Sequence, residues 1–247
     1  MEQLNMTLQT DDAPPSATAE ATVVLANHGR SFHFASKLLD QQTALRCARL
    51  YRFCRYVDDV ADTTSDAALA ADQLKNVQQM LRGETSCDTV TGDLLALAKE
   101  CQMDIDPAIE LVRGVSSDLG LVRVQSEAQL HRYCYRVAGT VGLLVCGVLG
   151  VRDPRALPFA IDLGIAMQMT NIARDVEEDA LNDRCYLPAS LLGHIEPDAI
   201  ADPGPALRWR LAVTVERILT DADKYYLSGE RGLAFLPPRV RLGFRVA

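Results

Sequence analysis

Two acidic runs constrain this chain more than any other feature of it. The first is Arg52-Phe53-Cys54-Arg55-Tyr56-Val57-Asp58-Asp59-Val60-Ala61-Asp62. The second is Gln168-Met169-Thr170-Asn171-Ile172-Ala173-Arg174-Asp175-Val176-Glu177-Glu178-Asp179. On a helix, Asp58 and Asp62 stand one turn apart on one face, about 6 Å from each other. Asn171, Asp175 and Asp179 repeat that spacing. The alternation of Phe159, Ile161, Leu163, Ile165, Met167 and Met169 also admits a buried strand. A strand, however, would separate the three polar residues by about 13 Å per step, too far to act on one ion. Length and the Ala, Met and Gln content favour helix. Either run alone reads most simply as a solvated helix face. Two with matching spacing, each embedded in apolar sequence, point to helices facing one another across a cage of oxygen ligands.

Such a cage suits magnesium, with manganese as a substitute. Magnesium takes hard oxygen donors and is usually held by one or two carboxylates, with phosphate oxygens and waters completing its shell. Carboxylates facing one another without a cation would raise each other's pKa. Asp58, Asp62, Asn171 and Asp175 are therefore the expected metal ligands, with Asp179 one turn further on and Asp59 turned aside. Arg55 lies one turn before Asp58. It is placed either to grip a diphosphate bidentately or to pair with Asp59 four residues on. Arg174, beside Asp175, carries the same ambiguity. Gln168 shares a face with Asn171 and is expected to orient a diphosphate or a water.

The wording of these runs resembles the squalene and phytoene synthase family, whose members join two prenyl diphosphates head to head with magnesium held by such a pair of motifs. Three further segments carry the resemblance in the right order: His28 to Ser36, Tyr133 to Gly142, and Asp183-Arg184-Cys185-Tyr186-Leu187-Pro188. Within the family, Val-Ala-Gly-Thr-Val-Gly-Leu-Leu and Asn-Ile-Ala-Arg-Asp-Val-Glu-Glu-Asp-Ala look more like bacterial carotenoid enzymes than eukaryotic squalene synthases. The resemblance implies an all-α isoprenoid-synthase bundle around a central cavity. It implies contact of Arg30 and Ser31 with one substrate diphosphate. It also implies a role for Tyr133 in the cationic steps. Phe32, Val137, Ala138, Val141 and Leu144 are candidates for an apolar wall. The family continues past this point with a further helical stretch that helps close the cavity, so the resemblance implies a chain truncated at Ala247 and leaves closure of its cavity open.

A net charge of −8 argues against nucleic acid. An anionic substrate remains compatible with an acidic chain where cations bridge the two. Seven cysteines at scattered spacings, without a Cys-x-x-Cys pair, support neither zinc nor a disulfide framework and suggest a reducing cytoplasm. There is no basic-then-apolar signal at the N-terminus and no run of about 18 apolar residues. Contact with a membrane surface stays open for a chain that handles long isoprenoids.

Residues 1–20 read as a mobile leader and 21–247 as one helical domain. Helices are expected from Thr43 to about Asp62, Ala67 to Arg82, 93–102, 107–118, Glu127 to about Leu149, through 155–180, and from Ala206 to Ser228. Another starts beyond Gly232, and 83–92 is a polar connection. Gly139, Gly142 and Gly147 inside a helix each cost about 1 kcal/mol against alanine. They serve either close helix packing or floor space for an apolar substrate.

The expected reaction condenses two geranylgeranyl diphosphates to phytoene through a cyclopropylcarbinyl diphosphate, by a monomer, with no NADPH. The alternatives are squalene or dehydrosqualene formation from farnesyl diphosphate, a non-catalytic assembly factor, or a terpene cyclase or chain-elongating relative.

Overall fold

The computed structural model describes residues 39–64, 66–238 and 240–241. The leader and the Arg30-Ser31-Phe32 segment lie outside the described residues. Eleven α-helices are described: α1 (Gln41–Thr63), α2 (Ala67–Leu81), α3 (Thr89–Cys101), α4 (Asp106–Ser116), α5 (Glu127–Cys134), α6 (Thr140–Val148), α7 (Leu157–Arg174), α8 (Val176–Leu181), α9 (Ala189–Leu192), α10 (Pro197–Ala201) and α11 (Pro205–Gly232). The fold is all-α, as the sequence pattern predicts.

Caps set the helix starts. Asp40 accepts from Thr43 N, Asp66 from Ala68 N and Ser126 from Gln129 N, each satisfying a donor that the first helical turn leaves free. Helix α3 begins earlier than the sequence reading places it. Asp88 accepts from Thr91 N at 2.6 Å, and this cap carries the helix through Gly92 instead of starting after it. The short helices α9 and α10 lie between Pro188 and Pro203, where no helix is expected from the sequence.

Two larger departures concern the site. The helix expected to run unbroken from Glu127 is interrupted by a π-helical segment, Tyr135–Gly139, between α5 and α6. One residue wider per turn, such segments are frequent at functional sites. The second acidic helix also breaks, at Asp175 (φ −101°, ψ 18°). The Asp175 N–H still donates to Asn171 O, and Asp179 N to Asp175 O, so the four-residue stacking survives the break. A short parallel pair, absent from the sequence reading, joins β1 (Val122–Arg123) to β2 (Arg184–Cys185), with Val122 opposite Arg184. Val124 N donates to Cys185 O and Ala189 N to Val124 O. This ladder holds the Asp183 to Pro188 loop against the chain that follows α4.

One core gathers α1 to α4 and α6 around Phe53, Val57, Leu74, Leu97 and Val112. A second gathers α5, α7 and α11 around Leu130, Met169, Leu192 and Ile218. Arg49, only 8% exposed, ties α1 to α3 through Asp93 at 2.7 Å and Glu100 at 2.9 Å. Leu144 belongs to the first core and not to a cavity wall. By length and composition the stretch Pro154–Arg174 could cross a membrane, a run the sequence reading did not single out. Here it is the central helix of the bundle, and α11 lies close along it at Gly229 and Gly232.

The glycines resolve in favour of close packing. A Cβ on Gly142 would stand 2.3 Å from the Ala160 carbonyl oxygen, and one on Gly147 would stand 2.5 Å from Met103 Cβ. Gly139 faces Ile161 in the same way, and Gly142 also lines a cavity. Gly164 is as tightly placed as Gly142, since its Cβ would lie 2.3 Å from the Ala138 carbonyl oxygen. Gly164→Ala is expected to lower stability by about 1–3 kcal/mol through overpacking, although alanine is the better helix former by about 1 kcal/mol. Urea unfolding measures the balance; a stabilised variant would show that the contact of α7 with the π segment is looser than described.

Candidate active site

Two cavities meet in the middle of the bundle. The polar one, of about 250 Å³, is lined by Asp58 and Asp62 of α1, Asn171 of α7, Asp175 at the break, Asp179 of α8, and Asp118, Tyr133, Gln168, Arg184 and Tyr186. The apolar one, of about 370 Å³, runs between α6 and α7 past Val137, Ala138, Val141 and Leu163. Asp58, Val137, Gln168 and Asn171 line both. An acidic chamber therefore opens into a greasy channel.

The predicted acid residues come together here, but not as a closed cage. Among the described residues, no three His, Cys, Asp or Glu side chains converge tightly enough to chelate one ion. The acids line separate walls of the chamber. Arginines sit on several of them. Arg174 grips both oxygens of Asp175 at 2.6 Å, Arg184 approaches Asp62 at 3.6 Å, and Arg55 holds Asp59 at 2.5 Å. Arg55 and Arg174 thus take the pairing alternative and line neither cavity, although Arg55 is near enough to favour the charged form of Asp58.

Burial and mutual repulsion show in the proton affinities. Asp58 is pushed up to about 7 by desolvation and by Asp62. Asp179 rises to about 6 by desolvation and by Asp175. Asp118 also rises to about 6 by desolvation, even though the hydroxyls of Tyr133 and Tyr186 favour its charged form. Tyr133 donates to Asp118 at 2.8 Å, and its ring stacks on Tyr186 at 4.8 Å. Burial holds both phenols far above their ordinary range, so each stays protonated and acts as a donor.

Sequence reasoning missed Asp118, Arg184 and Tyr186 as members of the site. Asp118 stood only as the end of the helix expected over 107–118, and in the structure it lies in the turn Ser117–Leu119 that follows α4. Arg184 and Tyr186 lay in a loop quoted for its wording alone. The β1–β2 pairing brings both to Asp118, and no local pattern announces a two-residue ladder across 60 residues of chain.

The donor set in the chamber is oxygen throughout, with neither histidine nor cysteine lining it. It fits a hard divalent cation of the magnesium or manganese kind.

A family model described as squalene/phytoene synthase matches residues 25–247. The chain is 37% identical to a phytoene synthase of Pseudescherichia vulneris over 239 residues, 91% of this chain and 77% of that protein. It is 36% identical to a 15-cis-phytoene synthase of Pantoea ananas over 237 residues, again 91% and 77%. Among solved structures, a dehydrosqualene synthase in complex with ligand superposes with a TM-score of 0.80 at 25% identity, covering 93% of this chain and 81% of that one. A squalene synthase from Alicyclobacillus acidocaldarius shares the fold at a TM-score of 0.77 and 21% identity, covering 93% and 88%.

Proposed function

Because the chain belongs to the squalene/phytoene synthase family, we propose that its two joined cavities condense two geranylgeranyl diphosphates head to head into 15-cis-phytoene, the first committed hydrocarbon of carotenoid synthesis. The reading treats residues 21–247 as one catalytic domain, working as a cytoplasmic monomer at or near a membrane surface. One observation carries it: an acidic, oxygen-lined chamber opens directly into an apolar channel through Asp58, Val137, Gln168 and Asn171. A prenyl diphosphate has the same two parts in the same order.

Each residue then has a physical task. Asp58, Asp62, Asn171 and Asp175 would hold magnesium, with Asp179 behind them, and the bound cations would neutralise the diphosphate as it leaves. Arg184, inside the chamber, adds a fixed positive charge to the same oxygens, and Arg174 and Arg55, held by Asp175 and Asp59, are assigned to the second diphosphate. Arg30 and Ser31 are assigned to it also, on the family's wording. Gln168, at the junction, orients the bond to be broken. Tyr133, fixed by Asp118 and stacked on Tyr186, presents a protonated hydroxyl and a ring face toward developing positive charge. Val137 and Ala138 of the π segment keep water from the carbocation. No nucleophile–base pair is needed, because the chemistry is ionisation followed by loss of a proton, which the departing diphosphate accepts.

Ligand binding should depend on pH in a defined direction. Asp58, Asp118 and Asp179 hold their protons more tightly in the folded chain than in the unfolded one. Their protonated forms therefore favour folding. That contribution is fullest below the ordinary carboxylate value of 3.8 and fades as pH rises to about 7. Cations compete with those same protons. Magnesium with pyrophosphate should thus raise the melting temperature much more at about pH 8 than at about pH 6, and magnesium alone should do less at both. Equal shifts at the two pH values, or with and without pyrophosphate, would count against the assignment of the chamber.

A further inference from the structure

The apolar channel has a floor, and its depth can be counted along the helices. α6 and α7 run antiparallel beside it, with Gly142 against Ala160 and Gly164 against Ala138. The mouth is set by Val137 on one wall and by Gln168 and Asn171 on the other. The far end is set by Leu149 and Ala156, which flank the connection between the two helices. At about 1.5 Å per residue, Asn171 to Ala156 spans about 22 Å and Val137 to Leu149 about 18 Å. An extended hydrocarbon advances about 1.15 Å per bond, as the three-bond peptide unit does. Tails of three, four and five isoprene units, at four bonds each, therefore reach about 14, 18 and 23 Å.

We infer that Leu149 and Ala156 gauge the length of the prenyl tail, admitting twenty carbons and stopping longer chains at the channel floor. The inference rests on the prenyl diphosphate reading above and adds the residues that select among its substrates. The floor is braced: Phe159, which lines the channel one turn after Ala156, stacks on Phe235 at 5.9 Å, and Arg155 lies over the Phe235 ring at 5.7 Å. Arg155 is in turn clamped by both oxygens of Asp153, the shortest contact being 2.6 Å. α11 presses on Phe159 so closely that a Cβ on Gly232 would stand 2.6 Å from Phe159 Cβ. Gly142 and Gly164 also line the channel, but a side chain at either would meet a carbonyl oxygen at 2.3 Å. Neither wall glycine can therefore set the length, and the assignment falls to the floor.

The test uses the full chain with magnesium and geranyl, farnesyl, geranylgeranyl and geranylfarnesyl diphosphates, reading kcat/KM and product mass for each. Filling the floor with Ala156→Leu should lower the ratio of twenty- to fifteen-carbon turnover at least about tenfold while farnesyl diphosphate is still condensed. Deepening it with Leu149→Ala should raise twenty-five- over twenty-carbon turnover by a similar factor; a methylene or two at a pocket wall is worth about 10–200-fold in selectivity. The second change is a gain, which misfolding cannot imitate, so it decides alone if the first variant does not fold. Wild-type chain that condenses none of the four substrates overturns the parent reading and the gauge with it. Condensation with the same selectivity in both variants overturns the gauge alone.

Discussion

Asp58→Asn and Asp175→Asn are each expected to lose at least about two decades of kcat while the protein stays folded. Each change keeps shape and volume but removes one negative charge from the wall that would hold a cation against the leaving diphosphate. Stabilising charge as it develops dominates the rate enhancement in such chemistry, and loss of one contributor costs about 10²–10³ in rate. The two differ in their side effects. Asp58 is half-buried beside Asp62 and already resists ionisation, so its amide relieves repulsion, and the metal-free variant should melt no lower than wild type. Asp175 is gripped by Arg174, so its amide frees that arginine and should also raise KM. Single-turnover rates and thermal melts on the same preparations separate these effects. Near-wild-type kcat in either variant would remove that residue from the mechanism.

The largest effect on stability is expected far from the chemistry. Arg49→Ala should cost about 3 kcal/mol, because it leaves Asp93, 12% exposed, as an uncompensated charge inside the α1–α3 contact. Breaking a buried pair from one side typically costs about 3–5 kcal/mol. The low end applies because Glu100 keeps Arg46 and is about one-third exposed. For a chain of this size the melting temperature should fall by about 6–12 °C. Removing both partners, with Asp93→Ala added, should cost less than the two single losses together. α1 carries Asp58 and Asp62, so loss of this anchor should also loosen the chamber. Additive losses in the cycle would show that the pair is not coupled.

The amphipathic helices were legible because their apolar period and capping residues agree. Asp66 and Ser126 cap the helices whose starts at Ala67 and Glu127 the sequence predicts. The acid runs were legible because helical stacking is a local property, and it persists even across the break at Asp175. What stayed hidden depends on residues distant in the chain. Asp118 enters the chamber only because β1 pairs with β2, and Arg49 is buried only because α3 supplies Asp93 and Glu100. The π segment left no local mark, since Tyr135 to Gly139 is ordinary helical sequence. Its widening accompanies the close approach of Gly164 to Ala138. Channel depth is likewise a property of two antiparallel helices and their shared floor, which neither helix encodes alone.

The joined chamber and channel should complete the condensation without a reductant. Phytoene forms when the rearranged cation loses a proton, whereas squalene formation needs a hydride. Purified chain should therefore be given magnesium and either geranylgeranyl or farnesyl diphosphate, with and without NADPH, and the products resolved by mass spectrometry over time. The expected result is a forty-carbon phytoene that appears at the same rate in both arms and is abolished by excess EDTA. An enzyme that stalls at the cyclopropylcarbinyl diphosphate until NADPH is added, and then releases squalene from farnesyl diphosphate, would contradict it.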